Sequence, residues 1–495
     1  MPLERRGLAV PPPETRMKNA RLLAALVALS ALPAAAAPTG TDLYVDSLAA
    51  AGGTGDRIDS PVRTITEALA LAQAGDTIWV RGGADRAYGV TNDVDTLPIP
   101  AALEGLSIRA YGETPGDGGL ASVAISDTYV ADGNRAHIVS NAAANMTIEG
   151  FDFSFGTSSV GKQNVGSCAI VRTDAPFTTV ANCRFRMPRP TGYAGSGANT
   201  ALVETPSGNG PTNLVVRGCG FYNTRTANRY HNFAPPVRCA NNGLVVGNVF
   251  SNVNWTATTR GDRFSFVSNV VYGANEETAG ERAGIVLNSG RDAEIAYNVL
   301  AADPASDKRH AVFFGFWRAW TGDVLVHHNT CIGGSTLVFA GGPLVNESRR
   351  KPKIFCNLFV PAGAGTNIVE SVNSATQTNL YGHVPTTFRP GSVFRNNASP
   401  ATAAFSGGTA PLQVTNYRLV GDDGLFVADN LVLEAPPVFV VTNDIHHADF
   451  YRYRASRTAA VDLGVLGWRG ENGEYPLYIG AKPPMYPPVT MLILR

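Results

Sequence analysis

The feature that most constrains this fold is a short turn pattern that recurs along residues 147–359. Each copy has a pair of β-branched or aromatic residues, then Asn or Gly, then a small group that ends in an apolar residue. Successive copies lie 21 to 36 residues apart. The Asn or Gly positions are Gly150, Asn182, Gly218, Asn248, Asn269, Asn298, Asn329 and Asn357.

This pattern indicates one turn per coil of a solenoid. Asn and Gly tolerate the left-handed backbone conformation, and the Asn amide can hydrogen-bond the neighbouring backbone. Stacked coils would place the asparagines about 4.8 Å apart, where one amide can bond the next. The irregular spacing fits insertions in loops. A β-sandwich also has short strands, but it does not explain Asn before an inward apolar residue so many times. We therefore predict an all-β parallel solenoid over residues 38–435.

Both ends of a solenoid expose strand edges, so both need caps. Thr64 and Glu67 have capping-box spacing, alanines and leucines follow, and Gly75 can end a helix. The sequence predicts a capping helix over residues 64–74. The aromatic and Pro-rich segment 436–495 is expected to close the other end.

The amino terminus resembles a secretory signal. Lys18 and Arg21 form a basic region, residues 22–32 are apolar, and 34–37 are alanines that suit cleavage. We treat 1–37 as an upstream extension and signal peptide. No later stretch reaches the roughly 18 apolar residues of a membrane helix. The mature chain, from about residue 38, is expected to be secreted or periplasmic, without a membrane partner.

Charge argues against one class of partner. The 495 residues carry 40 Lys+Arg and 40 Asp+Glu, so no overall basic charge favours nucleic acid. The balance is uneven, because residues 141–353 carry 20 basic and 14 acidic side chains. This basic middle would attract an acidic glycan.

Segments near both ends of the chain match the pattern of a known group of proteins. They are 44–46, 60–61, 64–65, 67–69, 75–78 and 80–83 near the start, and 453–456, 460–464 and 478–481 near the end. These segments resemble secreted right-handed parallel β-helix proteins of the pectate-lyase-like superfamily. That resemblance implies a right-handed β-helix with an N-terminal capping helix and a C-terminal cap, acting on polysaccharide as a lyase or a glycoside hydrolase.

No catalytic residue follows from the resemblance. Of the four polygalacturonase motifs only an Asp-Asp pair is present, at 422–423, in a segment that the closing region explains better. The pectate-lyase Arg-x-Pro-x-x-Arg motif is reduced to the fragment 186–189, which lacks the second arginine. The reaction must therefore be argued from the residues themselves.

A lyase needs a cation for the uronate carboxylate, a base for the C5 proton and an acid for the leaving oxygen. Residues 255–320 are richest in such groups, placed just ahead of strands, so we expect them on one face. Lys308 or His310 is the candidate base. The candidate carboxylate ligands are arginines, an acidic residue lies beside one of them, and two tryptophans offer sugar-stacking faces. These are Arg260, Arg263, Arg282, Glu281, Trp317 and Trp320.

Several alternatives stay open. The charged residues can lie in ordinary solvated turns, and the tryptophans can pack under loops. A glycoside hydrolase would use two carboxylates such as Asp262 and Glu281. A non-catalytic carbohydrate-binding protein would use the same scaffold, since fold does not imply function. Tyr230 or His231 is a second candidate base, although a hydrogen-bonded loop explains that segment better.

We predict no cofactor and no metal, although calcium can bridge carboxylates in acidic lyase sites. His327 and His328 are consecutive in a strand, so their rings should face opposite sides. The pair His446 and His447 is expected to be structural. A monomer is expected.

Cys183 and Cys219 share a phase of the repeat, which allows either a disulfide or two stacked buried thiols. Cys331 and Cys356 fall out of phase with each other, so we do not expect them to pair.

Overall fold

In the computed structural model the chain winds through three sheets in turn. The described residues are 40–90, 96–125, 136–155, 168–187, 202–205, 212–223, 236–253, 256–259, 261–274, 285–287, 290–302, 312–316, 320–333, 336–339, 350–360, 367–371, 392–395, 397–400, 404–407, 410–413, 425–428, 431–433, 437–453 and 479–482. The signal-like segment lies outside them. Within them, each coil adds one strand to sheet 1, then one to sheet 2, then one to sheet 3.

The strands of sheet 1 are Asp42–Val45, Thr77–Arg81, Ser107–Tyr111, Thr147–Glu149, Thr179–Ala181, Val215–Arg217, Leu244–Val246, Phe264–Val267, Gly290–Ala296, Trp320–His327, Arg350–Phe355, Ser392–Arg395 and Leu425–Ala428. The strands of sheet 2 are Ala87–Val90, Ala121–Ile125, Phe151–Phe155, Arg184–Met187, Gly220–Asn223, Val249–Ser251, Val270–Ala274, Val299–Ala302, Thr330–Ile332, Leu358–Val360, Ala398–Pro400 and Leu431–Leu433. The strands of sheet 3 are Leu97–Ile99, Ala136–Asn141, Cys168–Thr173, Val203–Glu204, Val237–Cys239, Ala257–Thr259, Ile285–Leu287, Val312–Phe316, Thr336–Phe339, Asn367–Ser371, Ala404–Gly407 and Ala410–Gln413.

Neighbouring strands pair in parallel, except that Ala410–Gln413 runs antiparallel to Ala404–Gly407. This topology confirms the predicted parallel β-helix, and the fold agrees with the resemblance to pectate-lyase-like proteins. Right-handed crossovers are the rule for parallel strands connected in this way.

Stacked aromatic rings fill the core beneath sheet 2. Phe153, Phe185, Phe221 and Phe250 occupy the same inward position in four successive coils. Their ring centroids lie 5.3, 4.9 and 4.7 Å apart, and all four are buried. Stacks of this kind add about 0.5–1.5 kcal/mol per pair beyond the burial of apolar area. The inward column fixes which side chains of the same strands point outward.

The asparagine ladder is present between sheets 1 and 2. Each Nδ2 donates to the Oδ1 of the next asparagine at 2.9–3.1 Å, and each backbone N–H donates to the same oxygen. The ladder residues are fully buried, so these bonds satisfy polar groups that would otherwise destabilise the core. Its members are Asn248, Asn269, Asn298, Asn329, Asn357 and Asn397.

The first three Asn or Gly positions of the repeat lie one residue earlier in the turn than the ladder asparagines. Gly150, Asn182 and Gly218 have positive φ and directly follow their sheet 1 strands, whereas each ladder asparagine is the second residue after its strand. Cys183 and Cys219 therefore stand at ladder positions in the earlier coils. A thiol cannot continue an amide ladder, so the ladder begins where Asn248 Oδ1 accepts the N–H of Cys219 at 2.8 Å.

Five cysteines have described side chains, and all five are buried thiols that form no disulfide. The stacked-thiol alternative for Cys183 and Cys219 is therefore confirmed. Burial raises the pKa of the Cys183 thiol, and the neighbouring Cys219 raises it further. Cys331 and Cys356 do not pair with each other, as expected.

The predicted helix forms over Ile65–Leu71, which we label α1. The capping box is present, with Thr64 accepting from the N–H of Glu67 and Glu67 accepting from the N–H of Thr64. The helix is shorter than predicted because Ala72 is already extended. Ile65 and Ala68 are buried, and α1 packs against the first two strands of sheet 1. A short 3₁₀ helix follows at Ala101–Leu103.

The described parts of the carboxyl-terminal segment lie along the side of the solenoid, on the outer face of sheet 2. Phe450 contacts Tyr272 edge-on, with centroids 5.8 Å apart. The N–H of Ala481 donates to Thr330 Oγ1 at 2.8 Å. Whether the rest of 436–495 closes the end remains a prediction. Across the described residues, no helix is long and apolar enough to cross a membrane.

Candidate functional site

Between residues 151 and 316, long connections concentrate at one edge of the solenoid. From strand Thr179–Ala181 onward the turns from sheet 1 to sheet 2 have two residues, whereas many of the longest connections between residues 151 and 316 run from sheet 2 to sheet 3. Insertions in repeat folds often carry the binding face. The strands of sheet 3 therefore follow the most varied connections in this part of the chain. The long connections are 156–167, 188–202, 224–236, 275–284 and 303–311.

Charged side chains form a row on this outer face. Ser140, Arg172, Glu204 and Arg238 are register partners on four successive strands. Val171, Val203 and Val237, each one residue earlier, belong to the core, so the charged residues point outward. Adjacent strands lie about 4.8 Å apart, which places an acidic group between two guanidinium groups.

The carboxylate at the centre of this row is buried. The Glu204 side chain is only 5% exposed, and Arg238 Nη1 lies 3.2 Å from its Oε2. The Arg172 and Arg238 side chains are 16% and 17% exposed. Removing charges from water costs several kcal/mol per ion unless they are paired with good geometry. Groups held in this way at an outer surface mark a candidate functional site.

Arg172 links two further groups to the row. Its Nη1 lies 3.2 Å from His137 Nε2, and its Nε and Nη2 each lie 3.2 Å from the Asp174 carboxylate. Arginine has only donors, so His137 Nε2 must be the acceptor. His137 is then a neutral imidazole, with its proton on Nδ1.

This arrangement combines three chemical functions on one face. Arg172 and Arg238 can bind a carboxylate, His137 holds a lone pair, and Glu204 and Asp174 supply two carboxyl groups. The sequence reasoning missed this row. A signal was available in three triplets of an apolar, a charged and a small residue, about one coil apart: 171–173, 203–205 and 237–239.

The sequence-predicted arginines divide between two edges. Arg263 is exposed and has positive φ, in the turn from sheet 3 to sheet 1. The strand that follows, Phe264–Val267, belongs to sheet 1. The expectation of one common phase is therefore wrong for Arg263, because the strand after it belongs to a different sheet from the strands that follow Arg282 and Lys308. Arg260 itself lies outside the described residues.

The other predicted groups precede strands of sheet 3. Glu281 and Arg282 come before Ile285–Leu287, and Lys308 and His310 before Val312–Phe316. All four lie outside the described residues, so their roles remain predictions. Their strands are the second and third beyond that of Arg238 in sheet 3.

The remaining candidates are placed as follows. Trp320 begins a strand of sheet 1, and only its backbone is described. Trp317, Tyr230 and His231 lie outside the described residues. Both the Nε and the Nη2 of Arg291 donate to Asp262 Oδ2, at 2.9 and 2.7 Å. Asp262 is therefore bound in an edge ion pair.

The expectation that His327 and His328 face opposite sides is wrong. The strand ends at His327, and His328 takes the left-handed position of the turn with φ 51°. The two Nδ1 atoms therefore meet at 3.0 Å, and His327 Nε2 lies 3.1 Å from Glu294 Oε1. Both rings are buried. Throughout the described part of the chain, no three His, Cys, Asp or Glu side chains are placed to hold a metal ion.

No protein-family model and no curated protein matches the chain. Solved structures do match it. The native GH136 lacto-N-biosidase from Eubacterium ramulus is 12% identical, with a TM-score of 0.48, over 83% of this chain and 69% of its own. The pectate lyase Pel9A is 14% identical, with a TM-score of 0.46, over 90% and 97%. A PL6 family polysaccharide lyase from Pseudopedobacter saltans is 16% identical, with a TM-score of 0.37, over 74% and 90%. No residue role is carried over from these proteins.

Proposed function

We propose that this protein is a polysaccharide lyase that cleaves a uronate-containing glycan by β-elimination on the outer face of sheet 3. One observation carries the proposal. Arg172 and Arg238 flank Glu204 on the neighbouring strands, and Arg172 donates a hydrogen bond to Nε2 of His137. Cation and base are thus adjacent, as the reaction requires.

The proposed reaction begins when the uronate carboxylate binds Arg172 and Arg238. Drawing Arg172 to the substrate frees His137 Nε2, which then removes the C5 proton. The electron pair of the C5–H bond forms the C4–C5 double bond, the C4–O bond breaks, and the leaving oxygen takes a proton from water. The hydroxide that remains is neutralised by the proton that His137 has taken, which restores the base. Lys308 or His310, from a connection to the same sheet, remains the alternative base.

A glycoside hydrolase is the second candidate, because Asp174 and Glu204 both lie beside Arg172. Retaining and inverting hydrolases each require two carboxyl groups at a defined separation. A protein that binds glycan without turnover is the third. Export of the chain, as the amino-terminal segment predicts, would bring any of these into contact with extracellular polysaccharide.

The test is a panel of pectate, alginate, glycosaminoglycan and neutral glycans, assayed for reducing ends and for ultraviolet absorbance of the new double bond. A lyase gives both signals together on an acidic glycan. Reducing ends without unsaturation would establish a hydrolase instead. Binding without either product would overturn the proposed catalysis.

A further inference from the structure

A second charged surface lies on the outer face of sheet 2. In two adjacent rows, Asp152 pairs with Arg184 and Arg184 with Gly220, while Ser154 pairs with Arg186 and Arg186 with Tyr222. The phenylalanines between these positions point into the core, so both rows point outward. We call the group Asp152, Arg184, Arg186 and Tyr222 the Tyr222 surface.

The Tyr222 ring lies flat along its own strand. A Cβ atom at Gly220 would overlap the Cε2, Cζ and Oη atoms of Tyr222, so the outer half of the ring covers the Gly220 backbone. The absence of a side chain at Gly220 makes this position possible. One ring face therefore rests on the sheet and the other points away from it, with Arg184 on the neighbouring strand beside the ring.

The two arginines make this surface positive. Arg186 is paired with Asp152, with Nη2 2.8 Å from Oδ2, and its side chain is 48% exposed. Arg184 is exposed and has no ion-pair partner in the described part of the chain. Burial raises the pKa of Tyr222, although the charges of Arg184 and Arg186 act in the opposite direction. The phenol thus keeps its proton and can donate a hydrogen bond.

The carboxyl-terminal segment packs beside the Tyr222 surface. His446 is exposed, and its ring centroid lies 6.1 Å from that of Tyr222. Phe450, further along the same segment, covers Tyr272 in the second strand beyond Tyr222. His446 therefore bounds the surface on the side of the later coils.

We propose that the Tyr222 surface binds a uronate residue of a glycan, separately from the row on sheet 3. Arg184 binds the carboxylate, because a guanidinium group recognises it through two parallel hydrogen bonds. The free face of Tyr222 packs against the sugar ring, and His446 limits how far the sugar extends. The proposal rests on the proposed function only for the class of glycan, since binding here requires no turnover.

The experiment titrates the full chain with tetrasaccharides of galacturonate, mannuronate and guluronate, and with neutral cellotetraose, by calorimetry at low salt. If the wild type cleaves a probe, the titration uses Arg238→Gln, which leaves sheet 2 unchanged. We expect at least one uronate tetrasaccharide to bind. We also expect Arg184→Gln and Tyr222→Ala each to weaken binding by roughly tenfold or more. Tyr222→Phe should retain most of the affinity, because it keeps the ring.

Arg217→Gln is the matched control. Arg217 is also an exposed arginine on a strand, but that strand belongs to sheet 1 and comes just before the strand of Tyr222. It should change neither binding nor turnover. Equal affinity in wild type, Arg184→Gln and Tyr222→Ala would overturn the proposal. So would binding of cellotetraose alone, or no binding at all. Failure of the lyase assay with uronate binding intact would reject the proposed catalysis and leave this inference standing.

Discussion

The outer faces of sheets 2 and 3 carry similar residues in opposite environments. On sheet 3, Arg172 and Arg238 are mostly buried around a buried Glu204. On sheet 2, Arg186 is half exposed and Arg184 is also exposed, beside an aromatic ring. Buried charges interact strongly, whereas exposed arginines recognise a ligand with modest energy. The contrast separates a surface suited to chemistry from one suited to recognition.

The largest effect is expected from His137→Ala. If His137 is the base, turnover falls by about 10²–10⁴-fold. Added imidazole should restore part of the rate, which a purely structural role would not allow. Full activity in His137→Ala would transfer the role of base to Lys308 or His310, whose alanine variants are then measured in the same assay.

Glu204→Gln tests how much the buried charge of Glu204 contributes to stability. Removing the charge of the buried partner leaves Arg238 without its carboxylate, so the free energy of unfolding should fall by about 3–5 kcal/mol in urea titrations. Asp152→Asn removes the corresponding partner of Arg186 on sheet 2, where the guanidinium group is 48% exposed although the carboxylate is only 18% exposed. There the loss should be about 1 kcal/mol or less. Equal losses at both sites would abolish the distinction between the faces.

Gly220→Ala tests whether the flat position of the Tyr222 ring is needed for uronate binding. The added methyl group must displace the Tyr222 ring while leaving Arg184 and Arg186 in place. We expect roughly tenfold weaker uronate binding, with turnover of the sheet 3 row unchanged. Unaltered affinity would mean that the flat position of the ring is irrelevant to binding.

The smallest effect concerns pH. The pKa of Tyr222 is raised above its ordinary value of 10.0, chiefly by burial. The phenol therefore remains neutral beyond the range in which a free tyrosine begins to ionise. Uronate affinity should be constant between pH 7.5 and about 9, and a decline should begin only above the ordinary tyrosine range. A loss of affinity near pH 8 would contradict the observed environment of Tyr222.

The repeat could be predicted from sequence because each asparagine needs only its local turn and the next coil. The phase could not be fully predicted, since Gly150, Asn182 and Gly218 look like ladder residues until the backbone shows their positive φ. The contact between the His327 and His328 rings could not be predicted either, because it depends on the positive φ of His328.

The row on sheet 3 was missed because its members are about one irregular coil apart and become neighbours only through strand register. Hydrophobic pattern identified the strands but not which of the three sheets each one joins. The same uncertainty placed Arg263 with Lys308, although the strands that follow them belong to different sheets.

Arg238→Gln removes one guanidinium group from the proposed catalytic row on sheet 3 and leaves sheet 2 unchanged. Wild type and variant are compared for formation of unsaturated ends and for binding of the same uronate tetrasaccharide, with Arg217→Gln as control. We expect turnover to fall by about 10²–10³-fold, with binding at the Tyr222 surface retained. Undiminished turnover in Arg238→Gln would show that the row on sheet 3 does not carry the reaction.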